Sequence, residues 1–234
     1  MATKRVLPDS DFEQIIIRTN RRIRNITMRV KPDGLYVTVP PRSRSSEVLD
    51  WIKPYRETLL EKFESVRKHP IGPDFRIDAP SFKLSLAQGR LSFFSIKVVD
   101  EVFTIYYPPQ TDFSTEDTQR LLRNAIVRAL KKRASQYLPP LLDELASMNH
   151  FTYKRVKITG SKGRWGSCTA TGSINLSVYL LLLPSHLIDY VLLHELCHTK
   201  EMNHGPKFWE LLDQVTGGLA KQIRKERKNQ RADF

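Results

Sequence analysis

Cysteine is nearly absent: Cys168 and Cys197 are the only two in 234 residues, too few for a disulfide framework. Long apolar runs are missing as well. The longest, around Tyr179–Leu183, falls far short of the roughly 20 residues that a membrane-spanning helix needs. The opening segment MATKRVLPDSDF is basic but has no apolar stretch behind it, so it does not read as a secretory signal. No low-complexity segment and no internal repeat stands out. These absences point to a soluble, cytoplasmic globular protein with no membrane partner.

Acidic residues are also in short supply. Lys and Arg number 38 against 25 Asp and Glu, a formal net charge of +13. Such an excess attracts polyanions, whether nucleic acid, an acidic membrane surface or an acidic substrate; the plainer alternative is a basic solvated surface. The charge is concentrated at both ends. Arg18, Arg21, Arg22, Arg24 and Arg29 lie near one, and Lys221, Arg224, Lys225, Arg227, Lys228 and Arg231 lie near the other.

The hydrophobic pattern reads as α+β. Phe12–Arg18, Ile23–Val30 and Leu35–Val39 are strand-like, with a turn at Lys31-Pro32-Asp33-Gly34. From Ser45 the period becomes helical, with Pro54 expected to kink or split the helix. More strands follow at Phe82–Leu86, Leu91–Val98 and Val102–Tyr107, with turns at Gln88-Gly89 and Asp100-Glu101. After Pro108-Pro109 the character changes. Ser114 or Thr115 caps a long helix to about Tyr137, which Pro139-Pro140 should interrupt before Leu141–Met148. Short strands are expected at Thr152–Thr159, Gly163–Cys168 and Ser173–Val178, then helices over Ser185–Met202 and Pro206–Val215. This divides the chain into a β-rich N-terminal region with one helix, residues 1–112, and a C-terminal core with a basic tail, residues 113–234.

The chemistry concentrates in His194-Glu195-Leu196-Cys197-His198, an H-E-x-x-H motif. Residues four apart share a helix face about 6 Å apart along the axis, so two imidazoles can reach one zinc ion at roughly 2.0–2.1 Å. Glu195 then stands beside the metal as a base for activated water. The flanking Leu187, Ile188, Val191, Leu192, Leu193 and Leu196 make the helix apolar nearly all round. Burying two histidines and a glutamate there without partners would be costly. His204 follows six residues after His198, within a segment that cannot continue a helix: Asn203 tolerates left-handed dihedrals, Gly205 is permissive, and Pro206 suits a new helix start. The bend can bring His204 back as third ligand and leave one coordination position open.

Competing ligands are weaker. Glu201 lies about 10.5 Å along the axis from His194, a distance that suits a supporting or surface role. Cys197 and Cys168 read as small packing residues. Ser173–Ser177 is the candidate edge strand for pairing with an extended peptide, against an ordinary core hairpin. Trp165 and Trp209 read as core aromatics. Arg164, Tyr179 or Tyr190 can stabilise a developing oxyanion. Arg164, Ser173, Asn175 and Tyr190 are therefore the candidate substrate-binding residues.

The run Arg164-Trp165-Gly166-Ser167-Cys168, then Ile174-Asn175-Leu176, Ile188-Asp189-Tyr190-Val191, the H-E-x-x-H motif, and Asn203-His204 with Phe208-Trp209 closely resemble the YgjP-like metallopeptidase family, related to the SprT-like and WLM zinc proteases. The specific motifs cover roughly residues 160–215. Arg21-Arg22-Ile23-Arg24-Asn25 and Val37-Thr38-Val39-Pro40 are similar to the family's opening segment. The resemblance implies zinc bound by His194, His198 and His204, and Glu195 as base. It also implies a zincin-like α+β core, with a backing helix near 114–137 behind the active-site helix and a small antiparallel sheet. Metzincins place Gly at the position of Glu201, which argues against that group.

Three further readings stay in view. Gly160-Ser161-Lys162-Gly163-Arg164 lacks the spacing of a phosphate-binding loop, but a metal with basic neighbours can hydrolyse a nucleotide phosphoanhydride. The basic ends suit a DNA-associated protease of SprT type. They also suit a nucleic-acid-binding module with structural zinc, although that needs a fourth ligand and leaves Glu195 without a task.

Overall fold

The computed structural model describes residues 4–66, 70–228 and 230. It is a mixed α+β protein with three small sheets, and it divides into two compact units between residues 69 and 70.

The first unit holds β1 (Lys4–Asp9), β2 (Glu13–Thr19), β3 (Thr27–Lys31) and β4 (Gly34–Val39) in the order β1-β2-β4-β3. β2 and β4 run parallel between two antiparallel neighbours. Ile15, Ile17, Leu35 and Val37 face Val48, Ile52 and Phe63 of α1 (Ser45–Ile52) and α2 (Arg56–Val66). Pro54 splits these helices as the sequence suggests, inside a short 3-10 turn over Lys53–Tyr55.

The second unit begins with β5 (Arg76–Ala79), β6 (Phe82–Gln88), β7 (Ser95–Val99) and β8 (Val102–Tyr107), ordered β5-β6-β8-β7. Order and strand sense repeat those of the first sheet. A diproline follows both β4 (Pro40-Pro41) and β8 (Pro108-Pro109), and a helix follows each. The molecule thus contains a repeat that inspection of the sequence missed. What the copies share is the position of apolar residues in Met28-Arg29-Val30 and Ile96-Lys97-Val98 rather than residue identity. Each sheet packs with the helix that follows it. Phe82, Leu84, Phe103 and Ile105 therefore share a core with Leu122, Ile126 and Leu130, and residues 70–112 group with the C-terminal unit.

That backing helix, α3, runs unbroken from Glu116 to Met148, capped by Thr115 accepting from the Thr118 amide. Pro139-Pro140 does not interrupt it. One buried stripe, Ile126, Ala129, Leu130, Ala134, Leu138, Leu142 and Ala146, passes straight through the prolines. Burial of such side chains at ~1.5–3 kcal/mol each outweighs an interior proline's cost of ~3 kcal/mol. Pro140 is exposed, so Pro140→Ala should raise the thermal midpoint; an unchanged or lower midpoint in a melting curve would refute this.

The third sheet contains β9 (Arg155–Thr159), β10 (Gly166–Cys168) and β11 (Ser173–Ser177) in the order β10-β11-β9. It is mixed rather than antiparallel, because β9 pairs parallel with β11. β11 is consequently the central strand and not the edge. α4 (Ser185–Cys197) packs against β10, α5 (Pro206–Val215) follows, and the basic run forms α6 (Ala220–Lys228). α6 is docked on the core: Ala220 is buried, His186 pairs with Glu226 at 2.9 Å, and the Arg224 guanidinium lies 4.3 Å from the Trp209 ring centre. Among the described residues, no helix is long and apolar enough to cross a membrane.

Candidate metal centre and active site

α4 ends at Cys197, five residues before the expected Met202, and His198 is its C-terminal cap. The early stop matters because the chain must turn back at once. Amides of Thr199, Lys200 and Glu201 close on Leu196 and Cys197 carbonyls. Gly205 and Pro206 then open α5. His194 and His198, one turn apart, meet His204 from the bend, and one ring nitrogen of each lies within 4.8 Å of the others. The Nε2 atoms of His194 and His204 are 3.1 Å apart. Phe208, fully buried, forms the floor, its ring centre 4.5–4.9 Å from all three imidazoles.

Orientation comes from the backbone. His198 Nδ1 lies 3.1 Å from the Glu201 carbonyl; donating there leaves Nε2 free as a ligand. Glu201 thus supports the site through its main chain. Trp209 Nε1 donates to the His204 carbonyl at 3.0 Å and the two rings stack, so Trp209 positions a histidine rather than merely filling the core. His194 Nδ1 is buried without a hydrogen-bond partner. Burial, with the neighbouring His198 and His204, lowers the His194 pKa to about 3. Three imidazoles with converging ring nitrogens suit a cation, and this donor set fits zinc.

Glu195 is 5% exposed and its Oε2 has no partner. Burial pushes its carboxyl up to about 7, with Arg227 pulling the other way. Gly166 of β10 explains how a strand passes so close: a Cβ there would sit 2.7 Å from Glu195 Cγ and Oε1. Gly166→Ala should therefore displace the carboxylate and cut hydrolysis by about 10²-fold or more, within the usual range for a positioned acid–base group, while metal content stays unchanged. Full activity in Gly166→Ala would show the contact to be unimportant. Cys168, half-buried, has its thiol raised by burial and then by Glu195. Cys197 is buried and raised to about 12 by burial, as suits a packing residue.

A pocket of about 350 Å³ opens beside the triad, lined by Arg164, Trp165, Gly166, Tyr190, His194 and Glu195, with Arg227 and Lys228 of α6. A groove of about 610 Å³ in the first unit is lined by Trp51, Tyr55 and Leu59 and contains none of these residues.

The model of the YgjP-like metallopeptidase domain matches residues 24–229. The chain belongs to the YgjP-like family. Similar solved structures include the metallopeptidase zymogen abylysin of Pyrococcus abyssi, 28% identical with a TM-score of 0.36, covering 42% of this chain and 99% of that one. Another is the metallopeptidase zymogen jannalysin of Methanocaldococcus jannaschii, 23% identical with a TM-score of 0.35, covering 39% and 93%. No curated protein matches the chain. Family membership makes this a metal-dependent peptidase with peptide or protein as the implied substrate.

In this YgjP-like protein, Arg164 and Tyr190 reach the pocket, but Ser173 and Asn175 do not. Ser173 is buried at the hairpin turn, its amide donating to Thr169 Oγ1, and Asn175, on the central strand, donates to Ser167 Oγ of β10. Tyr179 is buried in the core under Lys162. Trp165 borders the pocket. The places of Arg227, Gly166 and Phe208 at the site are not read from the sequence, although all three residues stand out in it. A signal for Arg227 was present: Ala220, Ile223 and Arg227 share one helical stripe, and the first two are apolar.

Proposed function

We propose that the chain hydrolyses peptide bonds using zinc held by His194, His198 and His204 in a zincin-like core, with Glu195 as general base. The observation that carries this reading is the convergence of three ring nitrogens next to a buried carboxylate that has no other partner. Zinc, when bound, supplies Lewis acidity at neutral pH. Glu195 accepts the proton of the attacking water and returns it to the leaving amine, a double task suited to a pKa near the working pH. Tyr190, Arg164 and Arg227 are the groups placed to steady developing negative charge. The edge strand bordering Glu195 is β10, and an extended substrate is proposed to run along it, in place of β11.

Chelation should abolish hydrolysis and one equivalent of zinc should restore it. His204→Ala should lose the metal. A zinc-loaded protein that cleaves no peptide in a mixed library would sink the peptidase reading.

One observation favours a second reading. Arg164, Arg227 and Lys228 make the pocket strongly cationic, which suits hydrolysis of a nucleotide phosphoanhydride at the same centre. Release of phosphate or pyrophosphate from nucleoside triphosphates, measured against peptide cleavage, separates the two.

A further inference from the structure

We propose that the pocket beside α4 is a binding site for a compact anion, carboxylate or phosphoryl, that the substrate carries next to the bond to be cut. This deepens the proposed function and rests on it for the location of the reacting bond.

Arg164, Arg227 and Lys228 bring three cations to one pocket whose only acidic lining residue is Glu195. Among the described residues, none of the three forms an ion pair. The neighbours of Arg227 on α6 are occupied: Arg224 stacks on Trp209 and Glu226 pairs with His186. Arg227 lines the pocket instead, and its Nε is buried without a partner. Tyr190 is 1% exposed, lines the same pocket and has a buried hydroxyl without a partner. Two buried donors without partners are costly unless an acceptor satisfies them, and the exposed Arg164 and Lys228 add positive charge at the pocket mouth. An anion satisfies both donors, with the guanidinium offering charge-assisted hydrogen bonds.

Arg227 shares the pocket lining with His194, Glu195 and Tyr190, which places it at the reacting centre. At about 350 Å³ the pocket lies at the small end for ligand sites. Its span, roughly 7 Å, is about two extended residues. The anion therefore sits within a residue or two of the reacting atoms. A peptide's terminal carboxylate or acidic side chain meets that requirement, and so does a phosphate chain.

Titration calorimetry of the full chain tests this with three probes: a short peptide ending in a free carboxylate, the same peptide amidated, and inorganic triphosphate. At least one anionic probe should bind saturably. Arg227→Ala and Arg164→Ala should each weaken it tenfold or more, Arg227→Lys less, and Tyr190→Phe severalfold, while the outward-facing Lys225→Ala changes nothing. Circular dichroism confirms that each variant is folded. Preference for the free carboxylate over the amide identifies a peptide source; preference for triphosphate identifies a phosphoryl source and favours the phosphoanhydride reading. Equal binding by wild type, Arg227→Ala and Arg227→Lys, or no anion binding at all, overturns the proposal. Glu195→Gln should keep anion binding, so failure of the proposed base and failure of the anion site show up separately.

Discussion

Glu195→Gln should abolish hydrolysis, by about 10²–10⁴-fold, while the protein keeps its metal. The amide preserves shape but cannot accept a proton, and the three imidazoles do not depend on it. The same substitution should stabilise the metal-free protein, and the pH dependence fixes the sign. Burial raises the folded-state pKa from 4.5 to about 7, so the folded protein holds this proton more tightly than the unfolded chain does. That contribution is complete below pH 4.5 and is lost as pH rises through 7. At pH 8 the wild type carries the full penalty of a buried carboxylate, up to about 3 kcal/mol, and the glutamine variant carries none of it. Melting curves at pH 8 and pH 5 should show a gain for the variant that shrinks on acidification. Residual hydrolysis near the wild-type rate would remove Glu195 from the mechanism. Loss of zinc from the variant would instead make Glu195 part of the metal site.

Phe208→Ala should be the most damaging change away from the ligands themselves. The ring is fully buried and touches all three imidazoles from below. Its removal should cost about 3–5 kcal/mol of stability. It should also cost metal affinity, because the histidines lose the surface against which their rings are held and second-contact supports commonly carry 10–100-fold in affinity. Phe208→Leu, which keeps much of the volume, should recover most of the stability and part of the affinity. Thermal denaturation and competitive zinc titration read the two effects independently. Stability lost with zinc affinity unchanged would reduce Phe208 to a core residue with no bearing on the centre.

The boundaries that sequence reading missed have a common cause. β1 alternates exposed and half-buried residues, Lys4-Arg5-Val6-Leu7-Pro8-Asp9, with a proline inside, and only pairing with β2 makes it a strand. The two halves of the sheet repeat share patterning but little identity, and they become visible only once both sheets are seen in the order hairpin, parallel pair, hairpin. Pro139-Pro140 reads as a break because local propensity is all a sequence window offers; the buried stripe that carries α3 through it is a tertiary effect.

The sequence by itself determined the three-histidine cluster: four-residue spacing on an apolar helix and a histidine at a helix-breaking bend are local geometry, and the chain within 194–206 contains all of it. Only the tertiary structure decided what surrounds that centre. β9 inserts beside β11 and leaves β10 as the edge against Glu195, and α6 folds back to aim Arg227 into the pocket. Those placements depend on strand pairing and helix docking between segments that are not neighbours in the sequence. Their energies come from contacts that do not exist until the core has formed.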